Sequence, residues 1–257
     1  TIKEIGQEIK EEDIIVDREN YRAVFSSFGG SLKSLYLKEY DAEFVPHGKY
    51  LFTNIAENKS LAQAAFAYNF DGHELVFTKG LDIIKIEKRF IFNHPYGFDY
   101  VIKTEPNNVV LTSSLESGIA ITEQKNKNDD LKHFGLYLKG QELRNVGKDK
   151  KAPHTHRWRP EWIVFRNKYF FLALVNNGSL DSVTVVPLED KRIGLKTYSS
   201  LGSNYSVYFL PIKYDLLVKF GKRFEEVAKG GIFGPISRFF LKVLKTFYRF
   251  FNNYGWA

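Results

Sequence analysis

The sequence predicts a mainly β protein, an antiparallel sandwich followed by two α-helices at its C-terminal end. Three observations lead to this prediction. Aromatic residues, which favour strands, make up 16% of the 257 residues, with 23 Phe and 15 Tyr. From Ile14 onward, turn residues separate short alternating segments about every ten residues, which is the spacing of a sandwich. After Pro211 the apolar period changes from two residues to that of a helix.

The N-terminal region divides into a charged segment and the first strands. Residues 1–13 alternate Lys and Glu with few large apolar side chains, so we expect them to form a tether. Tyr21–Phe28 then alternates as a strand, and Gly29 and Gly30 turn the chain before the next strand resumes at Leu32.

Pairs of strands separated by turn residues predict hairpins along the sandwich. The clearest pair is 82–92 with 98–104, around a turn that contains Pro95 and Gly97. Two further pairs are predicted: Ala67–Phe70 with Leu75–Phe77 around Asp71-Gly72, and Val109–Ser114 with Gly118–Glu123.

The second half of the sandwich alternates between apolar strands and polar loops. Trp162–Val175 is nearly all apolar, which is typical of one strand buried on both faces. Asn126–Lys132 and Asn145–Arg159 are polar or basic and predict loops. The remaining strands are predicted at Phe134–Leu138, Ser182–Pro187, Arg192–Tyr198 and Asn204–Leu210.

Two helices are predicted after the sandwich. Tyr214–Ala228 places its apolar residues on one helical face, and Gly230 follows as a stop signal. Gly221 in its middle is expected to weaken this helix by about 1 kcal/mol relative to Ala. The second helix begins at Pro235, a position where the missing N–H of proline is harmless.

The second helix carries a pattern typical of a membrane interface. Its cations share one narrow stripe at helical spacing: Arg238, Lys242, Lys245 and Arg249. The apolar face and the end of the chain provide the aromatic anchors Phe239, Phe240, Phe247, Phe251 and Trp256. No carboxylate occurs between Gly230 and Ala257. This pattern predicts a helix that binds an anionic phospholipid membrane surface, and the alternative is a helix docked in a protein groove.

Composition excludes several classes of function. The chain has no cysteine, which excludes disulfides, thiolate catalysis and zinc–thiolate sites. No segment reaches the roughly 18 consecutive apolar residues of a membrane-spanning helix. The net charge of +7 is compatible with nucleic acid, anionic lipid or an acidic partner, and only its distribution distinguishes them.

Other candidate sites are weaker than this helix. His154 and His156 could place two imidazoles on one side of a strand, but no third metal ligand is near and the surrounding cations would repel a metal. Asn126–Asp130 lacks the glycine of an EF-hand calcium loop. The basic loop with Trp158 could stack on nucleic acid, although a solvated or lipid-facing loop explains it more simply. We therefore predict no cofactor, no metal and no nucleic-acid partner.

Enzyme activity is the remaining alternative, as a carbohydrate-binding or mutarotase-like domain of an envelope protein. Glycoside chemistry needs two carboxylates that converge, and a mutarotase needs a histidine base with a carboxylate. The candidate carboxylates are Glu116, Glu123, Glu142 and Glu161. Nothing in the sequence brings them together, so we predict that the domain is not an enzyme.

Several segments resemble the YidC family of membrane protein insertases. The run Tyr208–Lys213 resembles the strand end that closes the periplasmic domain of this family, although Leu210 replaces the usual Gly and Ile212 separates Pro211 from Lys213. Residues 232–257 are similar to the family's juxtamembrane helix. The other matching segments are Trp162-Ile163 with Lys168-Tyr169-Phe170, and Gly29-Gly30 with Leu32.

The resemblance implies a fold, a topology and a function. The fold would be a galactose mutarotase-like β-supersandwich with C-terminal helices packed on it. Residues 1–13 would follow a first transmembrane helix, 14–231 would form the periplasmic domain, and 232–257 would lead into the next transmembrane segment at the bacterial inner membrane. The domain would assist insertion and folding of membrane proteins by interaction and positioning, because the insertion groove lies in the membrane core. Implied partners are the Sec translocon, the SecD–SecF complex and, through that core, nascent membrane proteins.

Overall fold

Short strands with inward-facing alternate side chains make up most of the fold. The computed structural model describes residues 10–107, 109–146, 152–178, 180–188 and 191–228. The strands, numbered along the chain, are β1 (Asp13–Asp17), β2 (Tyr21–Ser26), β3 (Ser31–Leu37), β4 (Ala42–Glu43), β5 (Thr53–Ala56), β6 (Lys59–Ser60), β7 (Ala67–Phe70), β8 (Glu74–Leu81), β9 (Ile84–His94), β10 (Gly97–Glu105), β11 (Leu111–Leu115), β12 (Gly135–Lys139), β13 (Leu143–Asn145), β14 (His154–His156), β15 (Trp162–Arg166), β16 (Phe170–Asn176), β17 (Ser182–Pro187), β18 (Ile193–Ser199) and β19 (Ser203–Pro211).

Helices are few and short in the described ranges. The α-helices are α1 (Lys127–Lys132), α2 (Tyr214–Lys219) and α3 (Glu225–Ala228), and two 3₁₀ helices occur at Lys38–Tyr40 and Gln124–Asn126. None of these described helices has both the length and the apolar character needed to cross a bilayer.

The strands form three sheets. One has four strands in the order β1-β2-β3-β4, and one has six in the order β14-β17-β18-β11-β5-β6. The largest has nine strands in the order β13-β12-β15-β16-β19-β10-β9-β8-β7. Every strand pair in the described ranges is antiparallel. The predicted mainly β, antiparallel class is therefore confirmed.

An aromatic core lies between the nine-stranded sheet and the two smaller sheets. A bridge between Leu32 and Leu51 links the regions of the two smaller sheets. From the four-stranded sheet, the Phe25 ring lies 4.6 Å from that of Phe90 on β9. Next to the six-stranded sheet, the Phe52 ring lies 4.8 Å from that of Tyr100 on β10. Both small sheets thus pack against the same face of the large sheet, and buried Phe and Tyr side chains supply much of the hydrophobic stabilisation.

The predicted hairpin around residues 93–97 is confirmed, since β9 pairs with β10 across this turn. On β9, side chains from Ile84 to Phe92 alternate between buried and partly exposed positions. The returning strand β10 pairs Tyr100 with Phe90. The hairpin at Asp71 is also confirmed, because β7 pairs with β8. The Asp71 N–H donates to the Glu74 carbonyl, so Gly72 and His73 form the turn.

The predicted single strand Trp162–Val175 is wrong, since this segment forms the hairpin β15–β16. Asn167 makes the turn: its Oδ1 accepts hydrogen bonds from the N–H groups of Tyr169 at 3.0 Å and Phe170 at 2.8 Å. A short asparagine side chain can thus close a turn within an apolar run, which periodicity does not reveal.

Three local predictions before this hairpin are also wrong, one of them the loop over Asn145–Arg159, which contains β14. Val109–Ser114 does not pair with Gly118–Glu123, because β11 lies between β5 and β18. Asn126–Lys132 is not an irregular loop but contains α1, whose first turn carries Asp129 and Asp130.

The chain divides after Pro211 into two compact units. In the second unit, the sequence predicts one helix over Tyr214–Ala228, whereas the structure has α2 and α3. The interruption occurs at Gly221 and Arg223, which adopt left-handed φ values of 63° and 61°. Glycine adopts this conformation readily. Gly221, which was expected only to weaken the helix, therefore lies where α2 ends. The predicted helix from Pro235 lies outside the described residues.

Candidate functional site

The residues predicted to bind the membrane interface lie outside the described part of the chain. They are Arg238, Lys242, Lys245, Arg249, Phe239, Phe240, Phe247, Phe251 and Trp256. Their role stays a prediction from the sequence. The described residues instead show what lies at the end of the β domain from which this segment departs.

We call this region the exit end, defined by the last residue of β19, the turn 167–169 and α1. Pro211 ends β19 and pairs with Phe170, the first residue of β16. Tyr169 therefore lies beside the point at which the chain leaves the first unit. α1 is bonded to the same turn, because its Asp130 carboxylate accepts a hydrogen bond from the Lys168 backbone N–H.

Asn167 joins the turn to the preceding loop. Its side chain is almost fully buried, at 1% exposure. Besides accepting from two backbone N–H groups in its own turn, its Nδ2 donates to Thr122 Oγ1 at 3.1 Å and to the Ala120 carbonyl at 3.4 Å. Both ends of the amide are used, so the position of the loop is tied to the turn conformation.

Asp130 fastens α1 to the same place. Its side chain is fully buried, and its carboxylate accepts from the backbone N–H of Thr122 at 2.9 Å and of Glu123 at 3.3 Å. The other oxygen accepts from the N–H of Lys168 at 2.9 Å. Hydrogen bonds from several backbone N–H groups stabilise a buried carboxylate without a salt bridge.

Lys168 completes the exit end with an ion-pair cluster. Its Nζ lies 2.8 Å from Asp129 and 3.0 Å from Glu123. The hydrogen bond to Asp129, with further bonds to Tyr169 and Glu123, raises the pKa of Lys168, so the ammonium stays charged near neutral pH. The ammonium also lies 4.7 Å from the centre of the Tyr169 ring. Lys168-Tyr169-Phe170, the segment that resembles the family, thus organises this end.

Lys88 on β9 is a fully buried lysine that the sequence-based predictions do not include. Its Nζ donates to the carbonyls of Gly29, Gly30 and Phe52, the last two at 3.2 Å, and lies 5.1 Å from the Phe66 ring centre. Burial lowers the pKa of Lys88 to about 7. A signal was present, because position 88 shares the inward parity of Ile84, Ile86, Phe90 and Phe92.

The structure places the alternative metal ligands without completing a site. The His154 and His156 rings lie 4.7 Å apart on β14, which confirms that the two imidazoles meet. In the segment that lacks the glycine of a calcium loop, Asp129 is paired with Lys168 and Asp130 accepts backbone N–H groups. Among the described residues, no group of three or more potential metal ligands is found.

The candidate catalytic carboxylates have other partners or lie apart. Glu116 is paired with Lys196 at 2.7 Å, and Glu123 with Lys168. Glu142 and Glu161 are exposed side chains beside β12 and β15. A cleft of about 530 Å³ does adjoin Glu116, and Arg192 on its wall donates to the carbonyls of Ser117 and Ile119. Glu116 and Arg192 thus have partners within the protein, and the described residues of this cleft do not form a catalytic set.

A histidine and a carboxylate do approach each other at His94 and Asp99, 3.5 Å apart. Asp99 also accepts hydrogen bonds from Ser206 at 2.6 Å and Asn93 at 2.8 Å. The His94 ring contacts Tyr208, with centres 5.1 Å apart. This arrangement fixes strands β9, β10 and β19 together on the face opposite the aromatic core.

Comparison with curated proteins gives relatives across almost the whole chain. A membrane protein insertase YidC from Geobacter sp. (strain M21) is 26% identical over 296 residues, covering 95% of this chain and 53% of the relative. The YidC insertase of Endomicrobium trichonymphae is 25% identical, covering 96% of this chain and 50% of the relative. The chain therefore spans about half the length of the curated relatives it matches. No family model matches the sequence.

Comparison with solved structures supports the fold. A galactose mutarotase related enzyme from Lactobacillus acidophilus superposes with a TM-score of 0.52 at 8% identity, covering 77% of this chain and 97% of that one. A galactose mutarotase-like protein from Lactobacillus casei gives 0.51 at 9% identity, covering 78% and 100%. At such identities the likeness concerns the fold alone, and the predicted galactose mutarotase-like β-supersandwich is confirmed.

Proposed function

Because the chain belongs to the YidC family of membrane protein insertases, we propose that it is the periplasmic domain of such an insertase. The observation that carries this proposal is the sequence relation to insertases over 95% of the chain, which includes the β domain and the C-terminal segment. The β-supersandwich agrees with it, since that fold was expected from the same resemblance.

The proposed topology places this chain between two membrane-inserted parts. A first transmembrane helix precedes residues 1–13, residues 14–231 form the periplasmic domain, and residues 232–257 lead along the membrane interface into the next span. Support comes from the relatives, of which the chain covers about half, so that a comparable length remains for spans. The cationic, carboxylate-free segment after Gly230 supports a position at anionic lipid.

The proposed role of the domain is interaction and positioning rather than the insertion step. Its partners are anionic phospholipid, the Sec translocon and the SecD–SecF complex, with nascent membrane proteins handled by the membrane core. Exposed apolar side chains at the end opposite Pro211 could serve protein contacts, notably Ile83 at 88%, Leu201 at 66% and Val110 at 57% exposure. Large exposed apolar groups often mark such contacts.

The domain is also proposed to carry out no catalysis. The engagement of Glu116 with Lys196 and of Glu123 with Lys168 supports this, because neither carboxylate is poised as an acid or base. Sugar epimerisation by the purified chain, abolished by His94→Gln or Glu116→Gln, would contradict it. Stoichiometric zinc or calcium in protein purified without chelators would contradict the absence of a cofactor.

The topology can be tested by cysteine labelling, because this chain contains no cysteine of its own. Single variants Ile83→Cys and Leu201→Cys are introduced into the full-length protein, with any cysteines outside this chain replaced by serine. A membrane-impermeant maleimide should label both in cells with a permeabilised outer envelope. Leu174→Cys, at a buried position, serves as the folding control and should react only after denaturation. Labelling of positions 83 and 201 only after lysis of the inner membrane would overturn the proposal.

Insertase function is tested by depletion of the full-length protein in its own cells. Newly made inner-membrane proteins should then give a protease-cleavage pattern that differs from that in undepleted cells. Expression of the wild-type protein should restore the normal pattern. Normal insertion after complete depletion would contradict the proposed function, whatever the labelling result.

A further inference from the structure

We propose that the exit end of the β domain is a second lipid-contact surface, which binds the headgroups of anionic phospholipids through Lys125, Lys127 and Lys132 with Tyr169 as an aromatic anchor. This inference rests on the proposed function, because it requires the domain to stand next to a membrane. It goes beyond the predicted C-terminal helix, since it assigns a membrane contact to the sandwich itself.

The first argument is position. β19 ends at Pro211, and its pairing with Phe170 puts Tyr169 next to the last residue of the first unit. Residues 212–257, including the segment proposed to lie on the membrane, all continue from this end. The opposite ends of β19 and β10 carry the exposed Leu201 turn and Glu105, about a strand length away. The exit end is thus the part of the sandwich from which the chain departs for the membrane.

The second argument is that the basic side chains of this region are exposed, whereas its acidic side chains are buried or paired. The acidic groups of this region are engaged: Asp130 is fully buried, while Glu123 and Asp129 pair with Lys168. Lys125, Lys127 and Lys132, by contrast, are all exposed to solvent. Lys132 is 74% exposed and reaches Asp129 only at 3.7 Å. The carboxylates of this region are therefore buried or ion-paired, whereas the three lysines remain exposed. Exposed cations of this kind suit an anionic partner.

The third argument is the exposed aromatic side chain. Tyr169 is 44% exposed although it belongs to a hairpin of otherwise buried aromatic and aliphatic residues. The Lys168 ammonium lies 4.7 Å from its ring centre. The Lys168 backbone N–H donates to Asp130 on α1, the helix that begins at Lys127 and ends at Lys132. Tyrosine favours the boundary between water and acyl chains, where its ring and hydroxyl are both accommodated. Exposed lysines on a helix that is bonded to the turn of an exposed tyrosine fit a lipid surface better than a soluble phosphate.

The first experiment measures binding of the whole 257-residue chain to vesicles of phosphatidylglycerol and phosphatidylcholine, and to phosphatidylcholine alone. The test variant is Lys125→Gln with Lys127→Gln and Lys132→Gln. Each lysine near an anionic surface is worth roughly fivefold in affinity, so we expect the triple variant to bind at least about tenfold more weakly. The matched control neutralises Lys59, Lys85 and Lys103, exposed lysines at the other end, and should lose less than about threefold.

The second experiment locates the contact. An environment-sensitive fluorophore is attached through Tyr169→Cys, and through Leu201→Cys as the matched control at the far end. On anionic vesicles the emission at position 169 should shift to the blue and become quenchable by lipid-borne nitroxide, whereas the label at 201 should remain in water.

The outcomes separate this inference from the proposed function. Periplasmic labelling in cells together with no spectral shift at position 169 would overturn the lipid contact alone. Equal losses in the two triple variants, or no binding of the whole chain to anionic vesicles, would overturn it as well. Tight binding to soluble phosphate or to acidic protein, without any preference for vesicles, would assign the lysines to a different partner.

Discussion

The side-chain nitrogen of Lys88 lies 3.2 Å from the carbonyl oxygen of Gly30, at the place where all three sheets approach one another. Lys88 belongs to the nine-stranded sheet, Gly30 to the turn that leads into β3, and the third acceptor, Phe52, precedes β5. A single buried side chain thus donates to backbone carbonyls from the regions of both smaller sheets. Its bonds to the carbonyls of Gly29 and Gly30 help to hold the predicted turn in place.

The first prediction concerns the proton on Lys88. Burial lowers its pKa from 10.5 to about 7, so between these values the unfolded chain holds a proton that the folded chain lacks. The free energy of unfolding should therefore rise with pH in this window, by about 1.4 kcal/mol for each unit of pKa difference. Urea denaturation from pH 7 to 10 should show a steeper rise for the wild-type chain than for Lys88→Met.

The difference between the two curves isolates Lys88, because the other lysines and tyrosines titrate in both proteins. Parallel curves would mean that the three carbonyl acceptors and the Phe66 ring keep Lys88 protonated in the fold. Lys85→Met, at an exposed position on the same strand, is the matched control and should leave the slope unchanged.

The second prediction concerns Gly30, whose φ of 50° lies in the left-handed region. A Cβ here would approach Phe77 Cγ to 2.9 Å. Gly30→Ala should therefore combine backbone strain of about 1–2 kcal/mol with overpacking of about 1–3 kcal/mol. Gly72→Ala is the control, since its φ is 88° but its Cβ would meet nothing within 4 Å. Thermal unfolding should rank wild type above Gly72→Ala and Gly72→Ala above Gly30→Ala; equal losses would show that Phe77 moves aside freely.

The third prediction tests the fastening of the exit end. Asp130→Ala removes the acceptor of three backbone N–H groups in a fully buried place. A buried donor left unsatisfied costs about 1–3 kcal/mol. We therefore expect the free energy of unfolding, measured by urea denaturation, to fall by at least about 2 kcal/mol. Asp129→Ala, on the same helix but partly exposed, should cost less than about 1 kcal/mol. Hydrogen exchange of the Lys168 amide should accelerate in Asp130→Ala only, and an unchanged rate would argue against the assigned bond.

The fourth prediction concerns the helix from Pro235 to Phe251, which was inferred from the sequence. Burial of a Phe side chain is worth about 1.5–3 kcal/mol, whereas a lysine near anionic lipid adds at most about 1 kcal/mol. Phe240→Asp with Phe247→Asp should therefore weaken liposome flotation more than Lys242→Gln with Lys245→Gln. The glutamine pair should mainly reduce the dependence on salt and anionic lipid. If the aspartate pair floats like the wild type, the helix is docked on protein instead.

The sequence by itself determined the fold class and most strand positions. Alternation from Ile84 to Phe92 and the turn residues that follow are local signals, because side chains two apart share a face and a turn needs only a few residues. The same locality made residues 162–175 ambiguous. An apolar run carries no alternation, and only the hydrogen bonds of Asn167 show that it folds back on itself.

The tertiary structure alone decided which strands pair and which charges remain exposed. β11 lies between β5 and β18, partners far apart in the sequence, so its pairing depends on contacts between distant segments that its local residue pattern does not reveal. Likewise the segment around α1 has balanced charges in sequence. It presents lysines outward only because Asp130 is buried against backbone N–H groups and Lys168, some forty residues later, takes up Glu123 and Asp129. Such contacts form where distant segments meet, and no local pattern encodes them.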